Sequence, residues 1–199
     1  MRVLVVGAGG VGAAFAAIAQ RRPAFEKVVL ADVSPKRAHD VVARLGEAGR
    51  FAAEQVDASS REQLLALIEA VKPDAVLNAC DPRFNEPIFA AAFAARTTYL
   101  DMAMTLSRPH PQRPYELPGV MLGDGQLARH EEWERAGLLA LVGIGVEPGL
   151  SDVFARYAAE ELFSKIEEVG VRDGADLVVE GYDFAPTFSI WTTIEECLN

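Results

Sequence analysis

Along residues 2–142, short apolar runs alternate with segments whose apolar positions recur at helical spacing. Arg2-Val3-Leu4-Val5-Val6 predicts a first strand, Ala13 to Gln20 an alanine-rich amphipathic helix, and Val28-Val29-Leu30-Ala31 a second strand. Ser34-Pro35-Lys36-Arg37 reads as a helix start, with serine at the N-cap and proline at the first helical position. That helix runs to about Gly46, with Ala38, Val41, Val42 and Leu45 on one face. Further strands are predicted over 51–56, 75–79, 97–100 and 138–142, and further helices over 62–71, 87–95 and 127–136. Ser59 or Ser60 caps the helix at 62–71. Six strands joined by helices make an α/β fold, a doubly wound parallel sheet of Rossmann type with right-handed crossovers.

The pattern changes at Ser151. Asp152 to Phe163 predicts a helix, and Ile166 to Arg172 and Leu177 to Tyr182 predict strands that pair through Asp173-Gly174-Ala175-Asp176. We therefore expect a dinucleotide-binding domain over 1–150 and the start of an α+β substrate or dimerisation domain over 151–199. Thr192-Thr193-Ile194-Glu195-Glu196 resembles a capping box with too few residues after it to build a helix. The expectation is a chain that ends inside its second domain, the alternative being a frayed tail.

Composition narrows the classes. Half of the 199 residues are hydrophobic and 24% are charged, as in soluble globular proteins. No uncharged apolar run approaches the roughly 18 residues of a membrane span, and with the first strand opening at residue 2 the expectation is no signal peptide. The net charge of −10 argues against nucleic-acid binding, which needs a basic footprint. Two cysteines, Cys80 and Cys197, show neither metal-ligand spacing nor a disulfide framework, so a reducing cytoplasm is the default expectation. His130-Glu131-Glu132-Trp133-Glu134 lacks the second histidine of a zinc helix, and no metal site is expected. Neither a tyrosine with lysine four residues on nor a nucleophile elbow occurs.

The chemistry-bearing residues cluster just after strands, where a doubly wound sheet binds its ligands. Gly7-Ala8-Gly9-Gly10-Val11-Gly12 follows the first strand and opens the first helix. Gly7 permits the tight turn, Gly9 lets a pyrophosphate approach the backbone, and Gly12 lets the helix pack close to the sheet. Gly10 and Val11 belong to the helix N-terminus, whose free N–H groups favour an anion. Asp32 lies twenty residues after Gly12, where its carboxylate accepts from the ribose hydroxyls. Its charge favours NAD, while Lys36 and Arg37 keep NADP open. A glycine-rich turn without a ligand is the bland alternative.

Other positions carry two readings each. Asp57, with Ala58, either borders the adenine or caps the next helix. Asn78, Ala79 and Cys80 either hold the ribose and pyrophosphate or form an Asx-Pro turn with Asp81 and Pro82. Cys80 has no evident base beside it and reads as a small wall residue. Asp101 either faces the nicotinamide, orienting an amine or relaying a proton, or caps a helix. Glu147, in Gly145-Val146-Glu147-Pro148-Gly149, lines the site or sits in a hinge. The proline-rich stretch 106–118 reads as a lid or a surface loop.

The order of these motifs resembles the saccharopine dehydrogenase-like family. The resemblance rests on the glycine turn from Val6, Asp32 in Leu-Ala-Asp-Val, Asp57-Ala58, Asn78 through Asn85, Tyr99-Leu100-Asp101 and Gly145 through Leu150. It implies a Rossmann domain with a substrate domain inserted before a returning segment. It also implies a nicotinamide cofactor, hydride transfer at a carbon–nitrogen bond of an amino acid or polyamine precursor, and Asp101 as the strand-end acid near the reacting centre. The chain carries Glu147 where many members have aspartate or another residue. A small amine or amino-acid substrate and a homodimer of the full-length protein are expected, with neither nucleic acid nor membrane as partner. Two other readings remain open: a non-catalytic dinucleotide-binding module that senses redox state, and a dehydrogenase of another substrate class, such as a hydroxy acid.

Overall fold

The computed structural model describes residues 1–172 and 178–183. Its strands are β1 (Arg2–Val6), β2 (Lys27–Asp32), β3 (Phe51–Gln55), β4 (Ala75–Asn78), β5 (Thr98–Asp101) and β6 (Ala140–Leu141). All pair in parallel in the order β3-β2-β1-β4-β5-β6. The helices are α1 (Gly10–Gln20), α2 (Pro35–Leu45), α3 (Arg61–Val71), α4 (Asn85–Ala94), α5 (Asp124–Leu127), α6 (His130–Arg135) and α7 (Leu150–Tyr157). The expected doubly wound sheet is present.

Side chains alternate across a strand, so β1 feeds both faces of the sheet. Val3 and Val5 pack with Ala16 and Ala19 of α1 and with Ala38 and Val41 of α2. Leu4 and Val6 pack on the opposite face with Leu64 and Ile68 of α3 and with Ile88 and Phe89 of α4. A strand covered on both faces must be apolar throughout, which is why β1 and β2 read as continuous runs. The capping signals also hold. Ser34 caps α2 with Pro35 at the first helical position, and Gly46 ends it in the left-handed conformation. Ser60, rather than Ser59, caps α3.

Three expectations give way beyond β5. The helix predicted over 127–136 is two short helices, α5 and α6, separated by Ala128 and Arg129. β6 shrinks to two residues, since beyond Leu141 the chain turns at Gly143, whose φ is +66°. Residues 166–172 and 178–182 form no strand ladder. A two-stranded hairpin without a third strand or a helix to cover it is marginal in water. The turn at Asp173–Asp176 and the capping pattern at Thr192–Glu196 lie outside the described residues.

One side chain ties the far end of α1 to the sheet. Arg50 donates to four carbonyls, those of Ala19, Gln20, Arg22 and Phe25, at 2.6–3.0 Å. Glu47 balances its charge at 3.1 Å. The last carbonyls of a helix have no partner within the helix, and a guanidinium satisfies several at once. Arg50→Ala is expected to cost about 2–3 kcal/mol, since bonds to a charged donor are lost and the carbonyls are left to water. Arg50→Lys should recover part of that loss; urea unfolding of the three proteins checks both.

Candidate dinucleotide site

The C-terminal ends of β1, β2, β3 and β4 open into one cleft of about 340 Å³. It lies where the strand order reverses between β1 and β4, the position at which open α/β sheets bind ligands. Gly7 and Gly9, Asp32, Asp57 and Ala58, and Ala79 and Cys80 all line it. Seven of the thirteen residues singled out from sequence thus meet at one surface.

The glycine turn is shaped by crowding on one side and openness on the other. Gly7 has φ of +103°, and a Cβ there would lie 2.7 Å from the Ala79 carbonyl oxygen. A Cβ on Gly12 would lie 1.9 Å from the Gly7 carbonyl oxygen, so α1 sits this close to β1 only with glycine at that position. A Cβ on Gly9 meets nothing within 4 Å, so that surface is open to an incoming group. Unlike α2 and α3, helix α1 has no side-chain cap, and its first turn closes with Ala13 donating to the Gly9 carbonyl at 2.9 Å. The N–H groups of Gly10, Val11 and Gly12 precede that bond. They present the positive end of α1, with backbone donors suited to a phosphate.

Asp32 is buried at the end of β2, 6% exposed. Its Oδ2 accepts from the Ala8 N–H at 2.9 Å and its Oδ1 from the Ser34 N–H at 2.9 Å. Arg37 Nη1 reaches both oxygens, at 3.2 and 3.3 Å. The carboxylate therefore ties β2 to the glycine turn and anchors a guanidinium on the cleft wall. Asp57 Oδ1 accepts from the Ser59 N–H and hydroxyl at 2.9 and 2.7 Å, which holds its carboxyl below the usual range. Asp57 thus closes a turn on the cleft rim, and helix capping falls to Ser60. Burial, reinforced by the charges of Asp32 and Asp81, pushes the Cys80 thiol up to about 12. A thiol so rarely ionised is a wall residue, as the absence of a neighbouring base suggests.

Asn78, Asp101 and Glu147 are not among the residues lining the cleft. Asn78 lies beneath the floor, 2% exposed. Its Nδ2 donates to Asn85 Oδ1 at 2.7 Å and to the Tyr99 hydroxyl at 3.1 Å, while its Oδ1 accepts from the Cys80 N–H at 3.0 Å. Asp101 is 1% exposed. Its Oδ2 accepts from the Tyr99 hydroxyl at 2.8 Å and from Gln126 Nε2 at 2.6 Å, and its Oδ1 from the Gly143 N–H at 2.7 Å. Gln126 in turn accepts from the N–H and hydroxyl of Thr105. These side chains form one buried polar chain running from the cleft floor to the turn at Gly143. Tyr99 is pushed up by burial and by the charge of Asp101, and so remains a donor. Glu147 is exposed, in the loop that Gly145 and Gly149 close by a single bridge.

The remaining walls were read in the sequence as motif or strand residues, not as site residues. Val6, Val33, Val56 and Phe84 add the apolar lining a flat base needs. Arg37 carried a signal only as a nearby positive charge; its place on the wall follows from α2 beginning directly after Asp32. Among the described residues no cluster of three or more metal-ligating side chains occurs, and no helix is long and apolar enough to cross a membrane.

Comparison with known proteins agrees with this geometry. Residues 3–141 match the family model described as the saccharopine dehydrogenase NADP binding domain. The carboxynorspermidine synthase of Vibrio cholerae is 31% identical over 98% of this chain and 48% of its own length. The carboxyaminopropylagmatine dehydrogenase of Synechocystis sp. is 27% identical over 98% of this chain and 46% of its own. The chain therefore spans about half the length of the curated relatives it matches. Among solved structures, apo saccharopine dehydrogenase (L-Glu forming) of Saccharomyces cerevisiae superposes with a TM-score of 0.61 at 17% identity, covering 81% of this chain and 31% of that one. The dTDP-glucose 4,6-dehydratase of Bacillus anthracis, in complex with NAD, gives 0.51 at 11% identity, covering 71% and 53%. Both structural likenesses concern the fold.

Two outcomes follow from the geometry. Gly12→Val is expected to unfold or strongly destabilise the chain, whereas Gly9→Val should leave the melting temperature within a few degrees and weaken nucleotide binding at least tenfold; thermal unfolding and calorimetric titration separate the two. Burial raises Asp101 above its ordinary value of 3.8, outweighing the lowering effect of its three donors. The native chain then keeps a proton that the unfolded chain has released. Stability from this group is full below 3.8 and is lost as pH rises through the folded value. Unfolding free energies of wild type and Asp101→Asn across acidic pH should show the wild type losing ground to the variant as pH rises.

Proposed function

Because the chain belongs to the saccharopine dehydrogenase family, matching its NADP-binding domain, we propose that it binds NAD(P) in the cleft and serves hydride transfer at a carbon–nitrogen bond of an amino-acid or polyamine-type substrate. The observation carrying this reading is the cleft at the β1–β4 reversal, with a bare glycine turn, an uncapped α1 and a carboxylate at the end of β2. Those features suit a dinucleotide: backbone donors for the pyrophosphate, an open surface at Gly9, apolar walls for the base and Asp32 with Arg37 at the ribose. When bound, the nicotinamide cofactor supplies or accepts the hydride. The chain's own residues bind and orient it. Val33, Val56 and Phe84 exclude water from the base, and Ala79 and Cys80 form the floor.

The names of the two curated relatives favour an amine-bearing substrate. Asp101 is then a positioning group, holding the Gly143 turn and hence the loop carrying Glu147 near the nicotinamide end of the sheet. We also read residues 151–199 as the start of the substrate domain. Helix α7 buries none of its residues and exposes Val153, Phe154 and Tyr157, a face suited to packing against further structure.

The test is coenzyme turnover by the intact protein. With an aldehyde and a diamine or amino acid offered together, reduced coenzyme should be consumed, and with either alone it should not. Tight coenzyme binding with no turnover across a panel of lysine-derived and polyamine-derived amines would replace this reading with that of a nucleotide-sensing module.

A further inference from the structure

Within the buried polar chain, one run of bonds has its direction forced from both ends. Asn85, the first residue of α4, is 1% exposed. Its Oδ1 accepts from Asn78 Nδ2 at 2.7 Å, and its Nδ2 donates to the Ala103 carbonyl at 2.6 Å. Asn78 Oδ1 in turn accepts from the Cys80 N–H at 3.0 Å. A backbone N–H only donates and a carbonyl only accepts. The Cys80 N–H therefore demands the Asn78 oxygen, which turns the Asn78 amide to the Asn85 oxygen and the Asn85 amide to Ala103. Flipping either carboxamide sets donor against donor or acceptor against acceptor, which a buried site penalises.

The two ends of the run belong to different parts of the molecule. Cys80, with Ala79, lines the floor of the cleft. Ala103 lies in the segment Met102–Met104, which leaves β5. The loop after β6 rests on that segment. A Cβ on Gly145 would lie 2.6 Å from the Met102 carbonyl oxygen, and one on Gly143 would lie 3.0 Å from Met104 Cγ. Asp101 reaches the same loop by a second route, from Asn78 through the Tyr99 hydroxyl to the Gly143 N–H. Asn85 is the link that holds the Met102–Met104 backbone itself.

We infer that Asn85 is a positioning residue of the site: its carboxamide registers the Met102–Met104 segment, and the Gly143–Gly149 loop lying on it, against the floor beneath the dinucleotide, so that binding of the nucleotide orders that loop. This rests on the dinucleotide reading of the cleft. It adds a residue that neither lines the cleft nor touches what binds there. Energetic coupling between two segments is carried by contiguous bonds of fixed geometry, and here every member of the path is buried or backbone and every amide is satisfied. A shift of the Cys80 backbone under a bound nucleotide is passed on to Ala103 because neither asparagine has another arrangement to relax into.

Hydrogen exchange of the intact protein, read as protection factors with and without NADP, tests this. In the wild type, NADP should raise protection about tenfold at residues 79–85 and also at 102–105 and 143–149. Asn85→Ala should still bind NADP, with the gain confined to 79–85. Asn85→Asp, close to isosteric, serves where Asn85→Ala does not fold, and it separates the bond from the packing. It keeps the acceptor for Asn78 and replaces only the donor to Ala103. At about pH 5 its protonated carboxyl donates to the Ala103 carbonyl, and protection should again reach both loops; as that carboxyl ionises towards about pH 9, two oxygens oppose each other and the effect should fade. Wild-type protection that stays at 79–85, protection reaching both loops as fully in Asn85→Ala, or an Asn85→Asp variant with no recovery on acidification overturns the inference and leaves the cleft reading intact. No NADP effect in the wild type, with no binding heat by calorimetry, overturns both.

Discussion

The contact on which the nucleotide half of the molecule depends is the approach of α1 to the end of β1. The Gly7 carbonyl lies where a side chain on residue 12 would be, and Gly7 itself abuts the Ala79 carbonyl. Three backbone segments, from β1, α1 and β4, therefore meet with no side chain between them. That closeness points the unpaired N–H groups of α1 over the strand ends and leaves Gly9 facing open space. It also lets the Ala8 N–H reach Asp32, linking the turn to β2. A wider separation would lose the cleft, the positive helix end and the anchored carboxylate together.

The other half of the sheet is organised by polar burial. Asn78, Asn85, Tyr99, Asp101 and Gln126 lie among apolar core residues, where an unpaired polar group would be costly. Each finds partners in the others, and the chain of bonds ends on backbone groups at Cys80, Ala103, Thr105 and Gly143. The network positions loops. It holds the floor of the cleft from below and fixes the turn that leads to the Gly145–Gly149 loop. Asp101 serves here as a hub beneath the surface, accepting from Tyr99, Gln126 and the Gly143 backbone.

Much of the fold was legible because its signals are local. A strand sandwiched between two helical layers must be apolar on both faces, and β1 and β2 each announce this in four consecutive apolar residues. Serine caps at Ser34 and Ser60 and the left-handed Gly46 mark helix ends through hydrogen bonds within one turn. The glycine turn and Asp32 were legible for the same reason: strand, turn, helix and second strand follow in sequence, with spacing dictated by backbone geometry. Past β5 the signals weaken. Helices α5 and α6 are each less than two turns long, β6 pairs along one edge, and among the described residues 166–172 and 178–182 form no strand.

By itself, the sequence settled the alternation of strands and helices, the parallel sheet and the place of the glycine turn, because each depends on residues adjacent in the chain. Only the tertiary structure decided which polar side chains face the cleft and which face inward. Asn78, two residues before the floor residue Cys80, turns inward because Asn85 and Tyr99 wait there; Asp101 does so because Gln126 and Gly143 supply its donors. Arg37 joins the wall because α2 starts where its guanidinium can settle on Asp32. Partners twenty to forty residues away choose the direction of a side chain, and no pattern within a single element encodes them.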